Sequence, residues 1–160
     1  MAGPAPALVP WSAEHTPAIV DLIGAVFAEY GMTFDPGAYD ADLRDIPGYY
    51  LEPGGWFGVL VDGGRVVGTV AVLPTGATAC EVKRLYLHPD YRGQRHGRAL
   101  MEHALRWADE RGYRVVVAWS DERLPEAHGL YRRLGFEQFG ERLCDDIDRS
   151  REYGFRRSIA

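Results

Sequence analysis

Cysteine is scarce in this chain of 160 residues, which contains only Cys80 and Cys144. The two cysteines form no CxxC pair, and the five histidines show neither HxxxH nor HExxH spacing, so we expect no metal site. A Cys80 nucleophile would need a neighbouring histidine to raise its thiolate fraction, and His88 and His96 follow at the far end of the same predicted strand. We therefore interpret Cys80 as buried packing.

Long hydrophobic runs are also missing. The longest apolar stretches, such as Val66 to Leu73, are far shorter than the roughly 20 residues that a transmembrane helix needs. The N-terminal sequence MAGPAPALVP has neither the charged start nor the apolar core of a secretory signal peptide. We therefore expect a cytoplasmic protein with no membrane partner, and the low cysteine content agrees with a reducing compartment.

An excess of positive charge is absent, because 18 basic residues stand against 23 acidic ones, for a net charge of −5. This balance argues against a nucleic-acid partner. The charges are unevenly distributed: residues 1–60 contain eight acids and one base, whereas residues 83–114 contain eight bases. We interpret the middle segment as a site for an anionic ligand and the first segment as a site for a cationic one. Solvated surfaces are the alternative for both segments.

Length and patterning predict one domain over residues 1–160 with a mixed sheet. A chain of this size is typical of a single domain, and 46% hydrophobic content is enough for a core. Strands followed by one strand–helix–strand crossover predict an α/β fold. In chain order, the patterns predict a helix over 16–30, a hairpin around 62–64, a strand over 80–87, a helix over 97–111, a strand over 114–119, a short helix over 125–134 and late strands over 136–140 and 153–159.

The segment YRGQRHGRAL joins a predicted strand to a predicted helix. A helix N-terminus presents unpaired N–H groups and a partial positive charge, and glycines such as Gly93 and Gly97 let the backbone close around an anion. Arg92, Arg95 and Arg98 add positive charge for phosphate contacts. The chain contains neither the GxxxxGK[ST] pattern of a P-loop nor GxGxxG after its first strand, so both of those phosphate sites are excluded.

This segment and its neighbours carry three motifs in a fixed order. Residues 94–99 read QRHGRA and fit the pattern Q/R-x-x-G-x-G/A. The preceding strand LYLHP leads into YRG, and residues 130–136 read LYRRLGF and fit the pattern LYxxxGF. Together the motifs resemble the GCN5-related N-acetyltransferase (GNAT) family, and the resemblance covers about residues 6–140.

The chain departs from the family pattern near the same motifs. Glycine is frequent at the position of Arg95, and isoleucine or leucine at that of His96. Leu124 replaces an asparagine that in many relatives contacts the pantetheine or a bound water. A side chain at position 95 restricts the turn unless its φ is negative.

The resemblance implies a fold, a ligand and a set of binding residues. The implied fold is α/β (α+β), with a mixed, mostly antiparallel sheet of six to seven strands, a central parallel strand–helix–strand crossover and helices on both faces. Acetyl-CoA would lie in a gap beside the strand that ends at residue 87, with its pyrophosphate on the turn. The implied cofactor-binding residues are Leu85, Tyr86, Leu87, Arg92, Gly93, Gln94, Arg95, His96, Gly97, Arg98 and Ala99.

The resemblance also implies acetyl transfer to a primary amine by direct attack in a ternary complex. Glu81 matches the strand position at which relatives often carry a catalytic base. Tyr131 matches the tyrosine whose hydroxyl, in many relatives, faces the sulfur and acts as the acid. The alternatives are a solvated or salt-bridged strand carboxylate for Glu81, beside Lys83 and Arg84, and a core tyrosine for Tyr131.

In the family, the region between the first helix and the hairpin forms a wall of the acceptor pocket, and here that region is both acidic and aromatic. Carboxylates and aromatic rings suit a cationic amine, so we expect a small-molecule amine or a protein lysine as the acceptor. A tyrosine-rich core is the alternative. The residues concerned are Tyr30, Phe34, Tyr39, Asp40, Asp42, Tyr49 and Tyr50.

Two other functions and the oligomeric state stay open. A non-catalytic acyl-CoA-binding or sensing module would use the same binding site, with Glu81 and Tyr131 as structural residues. A nucleotide-binding protein that uses the same turn would bind ATP and CoA with comparable affinity. The late strands often mediate dimers in the family, which leaves a homodimer open as well.

Overall fold

Seven strands and three α-helices make up the regular structure of residues 3–159, which the computed structural model describes. No helix in this range is long and apolar enough to cross a lipid bilayer. Short helical turns cover Ala13–His15, Ala41–Arg44, Pro47–Leu51 and Pro89–Tyr91. The elements are β1 (Ala7–Pro10), α1 (Thr16–Glu29), β2 (Trp56–Asp62), β3 (Arg65–Pro74), β4 (Ala79–Leu87), α2 (His96–Glu110), β5 (Val115–Asp121), α3 (Pro125–Arg133), β6 (Glu137–Leu143) and β7 (Arg151–Ser158).

The strands form a single sheet in the order β1-β2-β3-β4-β5-β7-β6. All neighbouring strands are antiparallel except β4 and β5, which are parallel and are joined through α2. The predicted fold, with a mostly antiparallel sheet and a central parallel crossover, is therefore confirmed, and the sheet has seven strands.

The helices cover both faces of this sheet, as predicted. On one face, α2 and α3 contribute buried residues such as Met101 and Tyr131 to a core with Val82, Val116 and Phe155. On the other face, the buried side of α1 and the turns over residues 41–51 pack against β2 and β3. Strand β4 contacts α2 on one side and α1 on the other, so it touches both helical layers.

Two parts of the sheet differ from the prediction. The edge strand β1 was not expected, because its sequence ALVP is only four residues long and ends in a proline, which gives a weak strand pattern. The last two strands are longer than predicted and pair with each other from Glu137 to Leu143. Their pattern is weak because most of β6 is exposed.

Strand β4 contains a β-bulge in its pairing with β3, and its pairing with β5 ends shortly before that bulge. Thr69 and Ala71 of β3 lie opposite Tyr86 and Lys83, so β4 carries an extra residue between them. Arg84, within the bulge, has a left-handed backbone with φ of 55°. On the other side, pairing of β4 with β5 ends at Val82. Beyond that residue the two parallel strands separate, as the family resemblance implies.

Candidate active site

Two cavities meet at the gap between β4 and β5. The large cleft, of about 550 Å³, is bounded by α1, the end of β4, the turn before α2, and α3. The small cavity, of about 270 Å³, is bounded by β4, β5 and the segments around residues 39–49 and 142–152. Leu85, Tyr86, Leu124 and Ala127 line both cavities, so the two spaces adjoin at this point.

One wall of the large cleft is positively polarised. Gly93 and Arg95 have left-handed backbones, with φ of 72° and 67°, and Arg95 directly precedes α2. The first N–H groups of α2 have no partners within the helix, and Gly97 in that first turn lines the cleft. Arg95 and Arg133 also line it, and neither pairs with a carboxylate within residues 3–159. This wall suits a phosphate group.

Arg133 was not among the expected binding residues. Arg95 was expected to restrict the turn unless its φ is negative, and its φ is positive. Arg95 adopts the positive φ that glycine adopts most easily, so its side chain does not rule this backbone out. Arg133 lies two residues after Tyr131 in the LYRRLGF motif, and its guanidinium is brought to the cleft by α3. The doubled arginine in that motif is the signal that could have identified it.

Arg92 has a different role from the phosphate contact expected for it. Its guanidinium forms an ion pair with Glu29 of α1, with Nη1 at 2.5 Å from Oε2. It also donates hydrogen bonds to the carbonyl oxygen of Leu87 from Nε and Nη2, and its Nη1 donates to the hydroxyl of Tyr30. Arg92 therefore joins α1 to the end of β4 and fixes the mouth of the cleft.

Most of the residues predicted to bind a cofactor border the large cleft. Gln94 instead donates a hydrogen bond from Nε2 to the carbonyl of Asp90, which stabilises the turn. Arg98 lines the cleft, and its side chain is paired with Glu102. His96 and Ala99 do not line the cleft. The predicted residues that line it are Leu85, Tyr86, Leu87, Arg92, Gly93, Arg95, Gly97 and Arg98.

Glu81 and Tyr131 both line the small cavity, although they come from different elements. Glu81 is half-buried on β4 and takes part in no ion pair or side-chain hydrogen bond within residues 3–159. Burial raises the pKa of its carboxyl, and the nearby charges of Lys83 and Arg142 only partly oppose that shift. A raised pKa brings a carboxylate closer to the value that a general base needs near neutral pH.

The hydroxyl of Tyr131 reaches the small cavity. Its ring is buried against Phe136 and Phe155, with ring centroids 5.7 and 5.3 Å apart. The hydroxyl forms no hydrogen bond. Because every fully buried side-chain oxygen in residues 3–159 has a hydrogen-bond partner, the Tyr131 oxygen is not fully buried and is open to the cavity. Burial raises the pKa of Tyr131 well above its ordinary value, which keeps the phenol protonated and able to donate a proton.

The acidic segment before the hairpin has its two buried carboxylates bound to one arginine, which leaves one net negative charge. Arg84 binds both of its buried carboxylates: Nη2 lies 2.9 Å from Oδ1 of Asp40 and 2.6 Å from Oδ1 of Asp42. The hydroxyl of Tyr50 donates to Asp42 as well. Burial opposes ionisation of Asp42, but its hydrogen bonds with Arg84 hold the pKa of this carboxyl below its ordinary range. We call Asp40, Asp42 and Arg84 the buried clamp.

The aromatic residues of the same segment divide between core and cavity. Tyr50 is fully buried against Phe57, and Phe34 packs edge-on against Phe27. Tyr30 lines the large cleft rather than the small cavity. The segment's aromatic contribution to the small cavity therefore comes from Tyr39 and Tyr49.

Replacing Gly97 with alanine tests the large cleft without disturbing the fold. A Cβ there would meet Leu130 and Leu87 at 3.5 Å, an ordinary contact, and alanine favours a helix over glycine by about 0.5–1 kcal/mol. The added methyl occupies the cleft, so we expect Gly97→Ala to weaken CoA binding about tenfold, or about 1.4 kcal/mol, at unchanged or higher stability. Isothermal titration and thermal melting measure the two effects. Equal CoA affinity in both proteins would show that the ligand does not approach this helix turn.

Known proteins resemble the chain in sequence and in fold. The sequence profile of the Acetyltransferase (GNAT) family matches residues 20–136. The chain is 35% identical over 129 residues to the uncharacterized N-acetyltransferase YjgM of Escherichia coli, with 78% of this chain and 77% of that protein covered. Among solved structures, a GNAT-family acetyltransferase from Staphylococcus aureus Mu50 superposes with a TM-score of 0.88 at 18% identity, over 98% of this chain and 100% of that one.

A structure that contains coenzyme A shares the fold as well. An aminoglycoside 6'-N-acetyltransferase complexed with coenzyme A has a TM-score of 0.72 at 13% identity, over 96% of this chain and 97% of that one. The profile match covers well over half of the chain, and the E. coli relative matches over more than two thirds of it. The chain therefore belongs to the GNAT acetyltransferase family.

Proposed function

We propose that this protein transfers an acetyl group from acetyl-CoA to a primary amine by direct attack in a ternary complex. The observation that carries the proposal is that the large cleft and the small cavity adjoin at the β4–β5 gap and share four lining residues. A donor in the first space and an acceptor in the second would meet beside Glu81 and Tyr131, which both line the small cavity.

The large cleft fits the donor in chemistry and in size. Its phosphate wall comprises the turn at Gly93, the start of α2, and two arginines without carboxylate partners, Arg95 and Arg133. Its other wall is the part of β4 beyond Val82, whose backbone has no strand partner on the β5 side. A free strand edge binds an extended amide chain through backbone hydrogen bonds, and a pantetheine arm contains two amides. The related aminoglycoside acetyltransferase holds coenzyme A, which supports the same ligand here.

The residues of the small cavity supply the proton transfers that the reaction needs. When bound, acetyl-CoA supplies a thioester as the acyl donor. Free N–H groups on β4 would bind the thioester oxygen as negative charge develops there. Glu81 would accept a proton from the acceptor ammonium, directly or through water, because an amine must be neutral to attack. The hydroxyl of Tyr131 would donate its proton to the departing sulfur.

A test of the proposed function measures CoA release from acetyl-CoA in the presence of a panel of amines. We expect turnover with at least one primary amine, and one acetyl group transferred for each CoA released. Tight CoA binding with no turnover of any amine would favour the acyl-CoA-binding or sensing module instead. Equal affinity for ATP and CoA would favour the nucleotide-binding alternative.

Tyr131→Phe removes the proposed acid while keeping the ring that packs against Phe155. We expect kcat to fall about 100-fold, at the lower end of acid–base effects, with little change in the free energy of unfolding because the hydroxyl forms no protein hydrogen bond. Steady-state kinetics and urea unfolding measure both quantities. Tyr113→Phe is the matched control, because Tyr113 stacks on Trp107 away from both cavities. Unchanged kcat in Tyr131→Phe would assign the tyrosine to the core alone.

A further inference from the structure

The charged groups that line the small cavity are nearly all engaged with one another. Arg84 is bound by both carboxylates of the buried clamp, which keeps one net negative charge, and Arg142 pairs with Glu152 at 2.7 Å. Asp121 and Asp148 are both bound by Arg123. Asp146 accepts hydrogen bonds from the backbone N–H and the hydroxyl of Ser150. Each of these groups therefore already has an ion-pair or hydrogen-bond partner, although the carboxylates among them outnumber the arginines.

Two lining groups of opposite charge remain without a partner. Glu81 and Lys83 form no ion pair and no side-chain hydrogen bond within residues 3–159, and both line the small cavity. Lys83 is also the only lysine of the chain, which otherwise carries its positive charge on arginine. The cavity therefore presents one free negative and one free positive group.

Glu81 and Lys83 lie two residues apart on β4 and so share one face of the strand. Their Cα atoms are separated by about 6.6–6.8 Å at the usual rise of a strand, and the intervening Val82 points into the core on the opposite face. The two side chains do not pair with each other. A small molecule with adjoining positive and negative groups can therefore interact with both at once.

We propose that the acceptor is a free α-amino acid, whose amino group is held at Glu81 and whose carboxylate is held at Lys83. This inference rests on the proposed function and specifies its substrate class. A polyamine, an aminoglycoside or a protein lysine has no carboxylate beside the reacting amine and would leave Lys83 unpaired.

The rim of the small cavity indicates the side chain of that amino acid. Tyr39 and Tyr49 line the cavity and are 47% and 54% exposed. Trp119 lines it as well, beneath the guanidinium of Arg142 at 4.3 Å from the ring centroid. Aromatic groups at the rim favour an apolar or aromatic side chain over a charged one.

The test compares three acceptors that share one side chain: L-phenylalanine, L-phenylalaninamide and phenethylamine. We expect wild-type kcat/KM for L-phenylalanine to exceed that for each of the other two by about 10- to 100-fold, the range expected of a charged hydrogen bond. In Lys83→Met this ratio should fall at least tenfold. In Lys83→Arg, which keeps the charge, most of the ratio should remain. Circular dichroism melting confirms that each variant is folded.

The outcomes separate this inference from the function on which it rests. Wild-type turnover of phenethylamine or the amide at least as fast as of the amino acid would overturn the amino-acid assignment and leave the acetyltransferase standing. A ratio that is unchanged in folded Lys83→Met would overturn the assignment of Lys83. Binding of CoA without turnover of any amine in the panel would overturn the proposed function, and this inference with it.

Discussion

Glu81→Gln is expected to lower kcat about a thousandfold at pH 7 and to leave the affinity for CoA within about twofold of the wild type. The amide has nearly the shape of the carboxylate but cannot accept a proton from the acceptor ammonium. Glu81 lines the small cavity rather than the large cleft, so its replacement should not alter donor binding. Because the carboxylate has no ion-pair partner to leave unpaired, the fold should tolerate the change.

The measurement is steady-state kinetics with saturating acceptor, together with titration of CoA into each protein. Glu137→Gln provides a matched control, because Glu137 is an exposed carboxylate on the edge strand β6 and lines neither cavity. The control should keep wild-type kcat. If Glu81→Gln retained more than about a tenth of the activity, the base would have to be another group, and Glu81 would be a strand carboxylate with no part in proton transfer.

Arg84→Met is expected to lower the free energy of unfolding by about 3–5 kcal/mol. The guanidinium is only 11% exposed, and its removal leaves the carboxylates of Asp40 and Asp42, 3% and 7% exposed, without a countercharge. The Arg84 carbonyl, which accepts a hydrogen bond from the Thr69 hydroxyl at 2.7 Å, belongs to the backbone and is kept in the variant, so the measured effect reports on the lost guanidinium.

Urea unfolding of the variant and of two companions tests this role of the buried clamp. Arg151→Met breaks an exposed cross-strand pair with Glu141 and should cost less than about 1 kcal/mol. In the double variant Arg84→Met/Asp42→Asn, one of the unpaired charges is gone, so part of the lost stability should return. A loss in Arg84→Met no larger than in Arg151→Met would show that the buried charges do not depend on this arginine.

The elements that position the site could be predicted where the sequence has strong local patterns. Periodicity and turn residues predict three of these elements. They are helix α1, which ends before Gly31, the hairpin with its turn at Gly63 and Gly64, and the β4–α2–β5 crossover. The bulge in β4 could not be predicted, because the left-handed backbone at Arg84 depends on tertiary contacts rather than on glycine. The edge strand β1 and the exposed strand β6 lack a buried face that would reveal them.

The site was harder to predict than the fold, because its electrostatics depend on contacts between distant segments. The family resemblance pointed to Glu81 and Tyr131, which the structure brings to one cavity. It also suggested free carboxylates at Asp40 and Asp42, but these pair with an arginine more than 40 residues away. No local sequence pattern predicts that ion pair. The unpaired state of Lys83 could likewise be recognised only after the ion pairs around the small cavity were known.

Hydrogen–deuterium exchange with and without CoA reports where the donor binds. If the donor lies against the free edge of β4 with its pyrophosphate on the turn before α2, backbone amides in residues 83–87 and 93–99 should exchange more slowly once CoA is added. Amides of β1 and β6, at the two sheet edges, should be unaffected. Slowed exchange confined to other parts of the chain, or no change at saturating CoA, would contradict this placement of the donor.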